Sequence, residues 1–500
     1  MNILILIILS SLSFSFSLSI KARSSKLTLL SSSFSSIDIE KSNKKNENKQ
    51  LYNSMLTIAI PSLAGCIAEP ILTLVDTYCV GKFMPSSIST SSLAAMSVNG
   101  AIFNVIAAAF YPLCTATTSM VSKSLGKLKK NDINDDDIIN YNELKIIFSH
   151  GLIICIMGIP LAAILFLAGE PLINLLINSD TDLTVKIGAI KYLKIRALAI
   201  PFTLLNDVVF GFSLGLQNIT APMYSILIAF LANICLDIAL IKYFNLGLYG
   251  AALATSFSGV LGSTIGLYIL QKKFKLLRSQ YLFELDMNKM KDFFRTSTIM
   301  FAGVMLNTLT YSSGATISSF SKSKNTIDVA AYQIIMGAWW LLSYFSSPVG
   351  YIAQALLPKE IVSDSVHNPK INNIISICIK LAVIVAICTS TSMVILQLLL
   401  PGLFTNDLAV QQAFKRTIVP VVLSLFLICI TTVQDGIFIG MGKIWDYVLA
   451  GLFSTSAAWL FFSRSVSIGL GVFGAWQGLL IFSVTRFLFY CYKWRHLRLT

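Results

Sequence analysis

Thr57-Ile-Ala-Ile-Pro-Ser-Leu-Ala-Gly-Cys-Ile-Ala-Glu-Pro-Ile-Leu-Thr-Leu-Val-Asp-Thr-Tyr-Cys-Val-Gly81 decides how the chain folds. It is long and apolar enough to cross a bilayer as a helix, which takes about 20 mostly apolar residues. It also carries two carboxylates, Glu69 and Asp76, and two prolines, Pro61 and Pro70. An acid at the centre of a membrane helix costs roughly 2.5–3.5 kcal/mol, so such a group faces protein or water and marks function. The spacing of seven puts Glu69 and Asp76 on one helix face, two turns apart. A proline inside the helix frees a backbone carbonyl and predicts a bend. The stretch reads as a membrane helix that titrates and moves.

The whole chain fits that reading. Its 500 residues are 55% hydrophobic and only 12% charged, where soluble domains carry about 25% charged residues. The length is taken up by many spans of a polytopic all-α membrane protein. The net charge of +14 does not point to nucleic acid, because the basic residues lie in the links between apolar runs, as the positive-inside rule expects. Nine scattered cysteines with no CxxC pair indicate neither a zinc site nor a disulfide framework, and three distant histidines form no ligand cluster.

Residues 1–50 differ from the rest. An apolar leader to Ile20 and a Ser-, Lys- and Asn-rich stretch to Lys49 read as a targeting presequence for an organelle such as a plastid, or as a disordered tail. Twelve helices follow, at about Leu51–Gly81, Ser91–Ser124, Leu144–Ala168, Val185–Leu216, Ala221–Ile241, Leu248–Leu270, Thr296–Phe320, Asp328–Leu357, Ile371–Leu398, Val410–Met441, Tyr447–Arg464 and Val472–Tyr492. They divide into an N-lobe, 51–270, a basic linker, 271–295, and a C-lobe, 296–495. A hydrophilic link, Lys123–Glu143, holds the acid run Asp135-Asp136-Asp137, whose spacing does not argue for a metal.

The two halves repeat. Gly247-Leu-Tyr-Gly-Ala251 recurs as Gly471-Val-Phe-Gly-Ala475, Asp207-Val-Val-Phe210 as Asp435-Gly-Ile-Phe438, and Leu93-Ala-Ala95 as Val329-Ala-Ala331, in one order and at similar offsets. Six spans per unit is an even number, so the copies form a parallel repeat about an axis along the membrane normal. Basic residues concentrate in loops on the side of the N-terminus, which puts both termini in the cytosol or, in a plastid, the stroma.

Transporters of this build hold substrate and coupling ions near the midplane, so polar groups at mid-span are the candidates. Asn233-Ile-Cys-Leu-Asp237 places an amide and an acid one turn apart on one face. With Asp76 they make a two-carboxylate pocket. Two carboxylates sharing a site disfavour double ionisation, which suits a proton carrier. The amide can donate to the ionised form and accept from the protonated one. A helix-packing pair of Asn233 and Asp237 is the alternative. Asp207 and Asp435 occupy matching places in the halves, as site residues or as acids near a helix end. Arg196 reads as the single mid-span arginine, either counter-ion to an acid or snorkelling. Trp339, Trp340, Tyr344, Phe345 and Phe103 read as packing or lipid-facing aromatics ahead of a substrate wall.

These residues resemble a known family. Pro61, Glu69-Pro70, Leu74-Val-Asp-Thr77 and Val80-Gly81 are similar to the first helix of the multidrug and toxic compound extrusion (MATE) transporters. Leu93-Ala-Ala95 with Ser124-Leu-Gly126 resembles their second helix, and Leu231-Ala-Asn233, Leu236-Asp237 and Gly247-Leu-Tyr-Gly-Ala-Ala252 resemble the DinF-like branch. The resemblance covers about 51–495. It implies twelve helices in two six-helix lobes and export of organic solutes against a proton or sodium gradient, with no other cofactor. It implies that Asp76, Asn233 and Asp237 hold the cation and that Pro61 is the bend proline of the first helix; Glu69 joins the coupling candidates from its place on the helix face of Asp76. Asp435 matches a C-lobe acid of another branch, but Phe301-Ala-Gly-Val-Met-Leu-Asn307 lacks that branch's second acid, so coupling is expected in the N-lobe.

The expected partners are a small organic molecule, H+ or Na+ and the lipid bilayer, with no nucleic acid and a monomeric state. The leading alternative is a flippase for a lipid-linked precursor, which would want a wide basic cavity, and a single mid-span Arg196 argues against one. A membrane transferase needs paired acids on a loop or a His-centred site, neither of which is present in recognisable form. A Gly-rich Asp/Arg loop of the major-facilitator kind is absent after the second helix.

Overall fold

The computed structural model describes residues 36–130, 142–176, 183–274, 287–319, 325–363, 369–398 and 408–497. The chain divides into two compact units, Met1–Asn53 and Ser54–Thr500. In the first, residues 36–53 are described and are helical, so the presequence reading of 1–50 falls mostly outside the described residues.

Among the described residues the helices are α1 Ser36–Phe83, α2 Ser86–Lys130, α3 Asn142–Leu167, α4 Gly169–Leu176, α5 Leu183–Ala197, α6 Ile200–Gly215, α7 Thr220–Asp237, α8 Gly247–Phe274, α9 Met287–Ser319, α10 Asn325–Ser343, α11 Ser347–Ser363, α12 Pro369–Leu398, α13 Leu408–Gly440, α14 Ile444–Ile468 and α15 Gly471–Leu497. Nine helices among these residues are long and apolar enough to cross a membrane, and the bent pair α5/α6 makes a tenth span. The Ser- and Thr-rich α9 and the interrupted pair α10/α11 complete twelve, and the fold is an all-α bundle of two six-span lobes.

The expected helices are present, with local departures that have physical causes. The fourth span is not one helix: α5 and α6 meet at 49°. Pro201 lies in the first turn of α6, cannot donate to the preceding turn and pushes the residues before it out of helical geometry. The first span, in contrast, stays helical through both Pro61 and Pro70. The eighth span is interrupted by a 3-10 turn at Tyr344–Ser346. The fifth ends in a π-helical segment, Ile238–Tyr243. The link after α2 is shorter than expected because α2 continues to Lys130, and Asp135-Asp136-Asp137 fall outside the described residues. The inter-lobe link is shorter too, since α8 reaches Phe274 and α9 starts at Met287.

The backbone carries the internal repeat. Six described residues have positive φ, and they form three pairs at corresponding places of the two lobes: Gln217 with Gly442, Asn245 with Gly469, and Gly247 with Gly471. Each pair sits in the turn before or after the fifth span of its lobe, where a left-handed residue reverses the chain at low cost. Packing repeats as well. In the N-lobe, Gly211 and Gly215 of α6 lie against the carbonyls of Cys114 and Thr118 on α2. In the C-lobe, Gly436 and Gly440 of α13 lie against Gly350 and Ala353 of α11. Small residues at these crossings let backbones approach closely, which drives helix association where lipid offers no hydrophobic advantage.

The lobes meet at the end of the bundle that carries the basic loops. Ser122 Oγ on α2 donates to the carbonyl of Ala355 on α11 at 2.8 Å. One turn further on, a Cβ at Gly126 would lie 2.5 Å from the Lys359 carbonyl. Phe210 and Tyr351 meet edge-to-face at 5.7 Å. Tyr351 is also the hydrogen-bonding neighbour of Cys66 on α1 and Tyr111 on α2.

Candidate functional site

Three elements build the N-lobe site. Asp76 lies in the last two turns of α1 and is buried, as are Asn233 and Asp237 on α7. The spacing of Asn233 and Asp237 turns both toward α1. The amide of Asn233 stands between the acids. With its nitrogen toward them, the orientation that satisfies both ends of the amide, Nδ2 donates to Asp76 Oδ1 at 3.1 Å and to Asp237 Oδ2 at 3.2 Å. Asp76 and Asp237 are themselves hydrogen-bond neighbours. The fourth member was not legible in the sequence: Thr255 of α8 donates from Oγ1 to Asp76 Oδ2 at 3.1 Å and also bonds the Ala251 carbonyl. A threonine in an apolar helix gives no signal of its own, because its hydroxyl ordinarily bonds the preceding turn.

Asp237 is the last α-helical residue before the π-helical segment, and π-turns inside α-helices occur frequently at functional sites. Asp237 Oδ1 is buried with no protein partner. Two adjacent carboxylates, three donated hydrogen bonds and one open oxygen form a place where a proton or a small cation can be taken up and released.

The remaining predicted residues divide. Glu69 lies on α1, but its side chain is outside the described residues. Pro61 sits inside α1, seven residues after its compact unit begins. Asp207 on α6 is half-buried beside Cys114 and Cys155, and so belongs to the α2–α3 side of the lobe. Arg196 ends α5 at the break in the fourth span. Its guanidinium stacks over Phe103 at 4.5 Å, bonds Tyr192 Oη at 3.4 Å and lies within electrostatic range of Asp76. Among the described residues it makes no ion pair, and its charge acts on Asp76 from a distance.

The C-lobe corrects the sequence reading at one point. Arg196 is not the single mid-span arginine. Arg486 of α15 is buried, with 1% of its side chain exposed. Its Nε and Nη2 donate to Asp435 Oδ1 on α13 at 3.1 and 2.9 Å, and Nη1 donates to Asn307 Oδ1 on α9 at 2.6 Å. Tyr490 Oη donates to the same Asp435 oxygen. The rule that singled out Asp76, a charge inside an apolar run, applies equally to Phe482-Ser-Val-Thr-Arg-Phe-Leu-Phe-Tyr490. The arginine was hidden by the basic tail that follows it. Because Asp435 neutralises it, it does not create the basic cavity a flippase would want. Trp339 is buried against Tyr311 and Trp476, while Trp340 keeps an exposed face.

Two six-span lobes touching at one end, with a carboxylate pair inside one of them, have the build of a polytopic membrane transporter. Sequence and structure comparisons agree. The family model MatE matches residues 61–239. Protein DETOXIFICATION 45, chloroplastic, of Arabidopsis thaliana is 24% identical over 440 residues, covering 86% of this chain and 75% of that one. The crystal structure of the eukaryotic MATE transporter AtDTX14 superposes with a TM-score of 0.74 at 16% identity, over 89% of this chain and 95% of that one. A variant of the Vibrio cholerae MATE transporter VcmN gives 0.72 at 18% identity, over 90% and 98%. The chain is similar to multidrug and toxic compound extrusion transporters over most of its length, and is a transporter, not an enzyme.

Proposed function

We propose that the protein exports organic solutes by antiport with protons, with sodium as the alternative ion, and that Asp76 and Asp237 carry the coupling ion. The observation that supports this most is the Asp76–Asn233–Asp237–Thr255 cluster, which joins α1, α7 and α8 in the half of the N-lobe away from the lobe contact. In the ionised state the carboxylates demand the donors of Asn233 and Thr255, and these bonds hold α1 against α7 and α8. Proton uptake removes that demand. Such hydrogen bonds to charged groups contribute about 1.5–3 kcal/mol each, enough to bias which arrangement of α1 prevails. Pro61 gives α1 a weakened point at which to move. Rocking of the lobes about their contact then opens the space between them to alternate sides.

The chloroplastic designation of the Arabidopsis relative, together with the Ser- and Lys-rich stretch before Leu51, supports a plastid envelope membrane as the location. A monomer suffices, since both lobes are on one chain. The test is substrate efflux in inverted vesicles under an imposed proton gradient, comparing the native chain with Asp76→Asn and Asp237→Asn. Loss of gradient-driven transport in both variants is expected, and full coupled transport in both removes the N-lobe assignment. Varying sodium at fixed pH separates the two ions.

A further inference from the structure

We propose that Arg486 is a tethered cation that permanently fills the C-lobe's acid site, so that this lobe carries no exchangeable coupling ion. The proposal rests on the N-lobe reading of coupling and specifies what the other lobe does.

The site has the parts of a cation site. Asp435 and Asn307 come from different helices and converge carboxylate and amide oxygens on one point, with the Tyr490 hydroxyl bonded to Asp435 beside it, and such oxygens suit hard cations. The point is occupied by the guanidinium. Asp435 Oδ1 accepts two of its three hydrogen bonds and that of the Tyr490 hydroxyl as well, and Asn307 Oδ1 accepts the third. Tyr447 and Phe482 lie beside the guanidinium, at 5.3 and 5.8 Å from the ring centres. The titratable groups facing it are Asp435, Tyr490, Tyr447 and Tyr311. Arginine does not lose its proton in proteins, so the positive charge cannot leave the site. The Asp435 side chain keeps 19% exposure.

The internal repeat shows that the lobes have been specialised in opposite ways. The offset that places Gly247 on Gly471 places Gly262 on Arg486, and Thr255 on Leu479. The same offset places Asn233 and Asp237 on Ala457 and Phe461. The N-lobe therefore has the paired acids and their donors without a fixed cation at the equivalent place, where Gly262 packs on Ser225 and Ala229. The C-lobe has the fixed cation and one acid. A lobe whose charge is satisfied internally makes no differential contact with a coupling ion, and an ion without differential affinity shifts no equilibrium.

The test uses the purified full chain and its tryptophan fluorescence, since Trp339 and Trp476 lie near Tyr311 and Phe482. Sodium is titrated against choline at fixed pH and ionic strength. Arg486→Gln bares Asp435 and is expected to acquire a saturable sodium response that the native chain lacks. Arg486→Lys keeps a resident cation and stays silent, and the double variant Asp435→Asn/Arg486→Gln, which has neither charge, stays silent too. No gain in Arg486→Gln, or an equal gain in the double variant, overturns the proposal. Should Arg486→Gln fail to fold, the charge-balanced double variant decides: coupled transport within about two-fold of native supports the tethered cation, and loss of coupling in a folded double variant overturns it. Full coupling in both Asp76→Asn and Asp237→Asn is a separate result, which sinks the N-lobe reading without touching these outcomes.

Discussion

Thr255 reaches Asp76 across 179 positions of sequence, its hydroxyl 3.1 Å from Oδ2 of the carboxylate. The bond ties the sixth span of the chain to the first. Thr255→Val keeps the shape and removes the donor, and the carboxylate loses a bond of about 1.5–3 kcal/mol. Gradient-driven transport is expected to fall on the order of ten-fold, with little change in expression, whereas Thr255→Ser keeps most of it. Equal transport by the valine and serine variants contradicts a role for the hydroxyl.

Among the described residues, Asn233 is the only side chain that donates to both carboxylates. Asn233→Leu leaves two buried acids with one donor fewer each, and the dependence of transport on the proton gradient is expected to disappear while the purified protein stays folded. Asn233→Asp adds a third carboxylate and is expected to be worse than Asn233→Leu, since like charges in one site repel. Transport measured at several imposed gradients checks the order of the two.

The lobe contact depends on Gly126. A Cβ there would lie 2.5 Å from the Lys359 carbonyl and 3.1 Å from Val362. Gly126→Val is therefore expected to pry the lobes apart at the basic-loop end. Cys66, a hydrogen-bonding neighbour of Tyr351 at that contact, is the natural reporter: its labelling by a membrane-impermeant maleimide from the basic-loop side should rise several-fold. Unchanged labelling at Cys66 speaks against closure at this end.

Glycine substitutions also separate packing from propensity. At Gly436 an added Cβ would meet the Gly350 carbonyl at 2.4 Å, backbone against backbone, and Gly436→Ala is expected to destabilise by about 1–3 kcal/mol. At Gly259 nothing lies within 4 Å, and Gly259→Ala in the middle of α8 is expected to stabilise by about 0.4–1 kcal/mol. Thermal melts in detergent read both, and a lower Tm for Gly259→Ala would contradict the packing described.

What the sequence discloses follows from which interactions leave a one-dimensional trace. Asp76, Asn233 and Asp237 were legible because a charge in an apolar run and an i, i+4 polar pair are local patterns. The repeat was legible in short motifs, and the paired positive-φ residues are its three-dimensional counterpart. Thr255 was not legible, because its role depends on which residue faces it from another helix. Arg486 and the break before Pro201 did leave traces, a charge in an aromatic run and a proline at mid-span, which the neighbouring basic tail and the continuous apolar pattern masked. The π-helical segment after Asp237 has no sequence signature.

The central claim is that the acid pair of α1 and α7 exchanges the coupling ion for substrate. Counting protons tests it most directly: a pH indicator in weakly buffered detergent solution reports protons released per transporter when a transported substrate is added. The native chain should release about one proton per molecule, and Asp76→Asn and Asp237→Asn should release none. Release of the native number by both variants, at undiminished substrate affinity, would contradict the account.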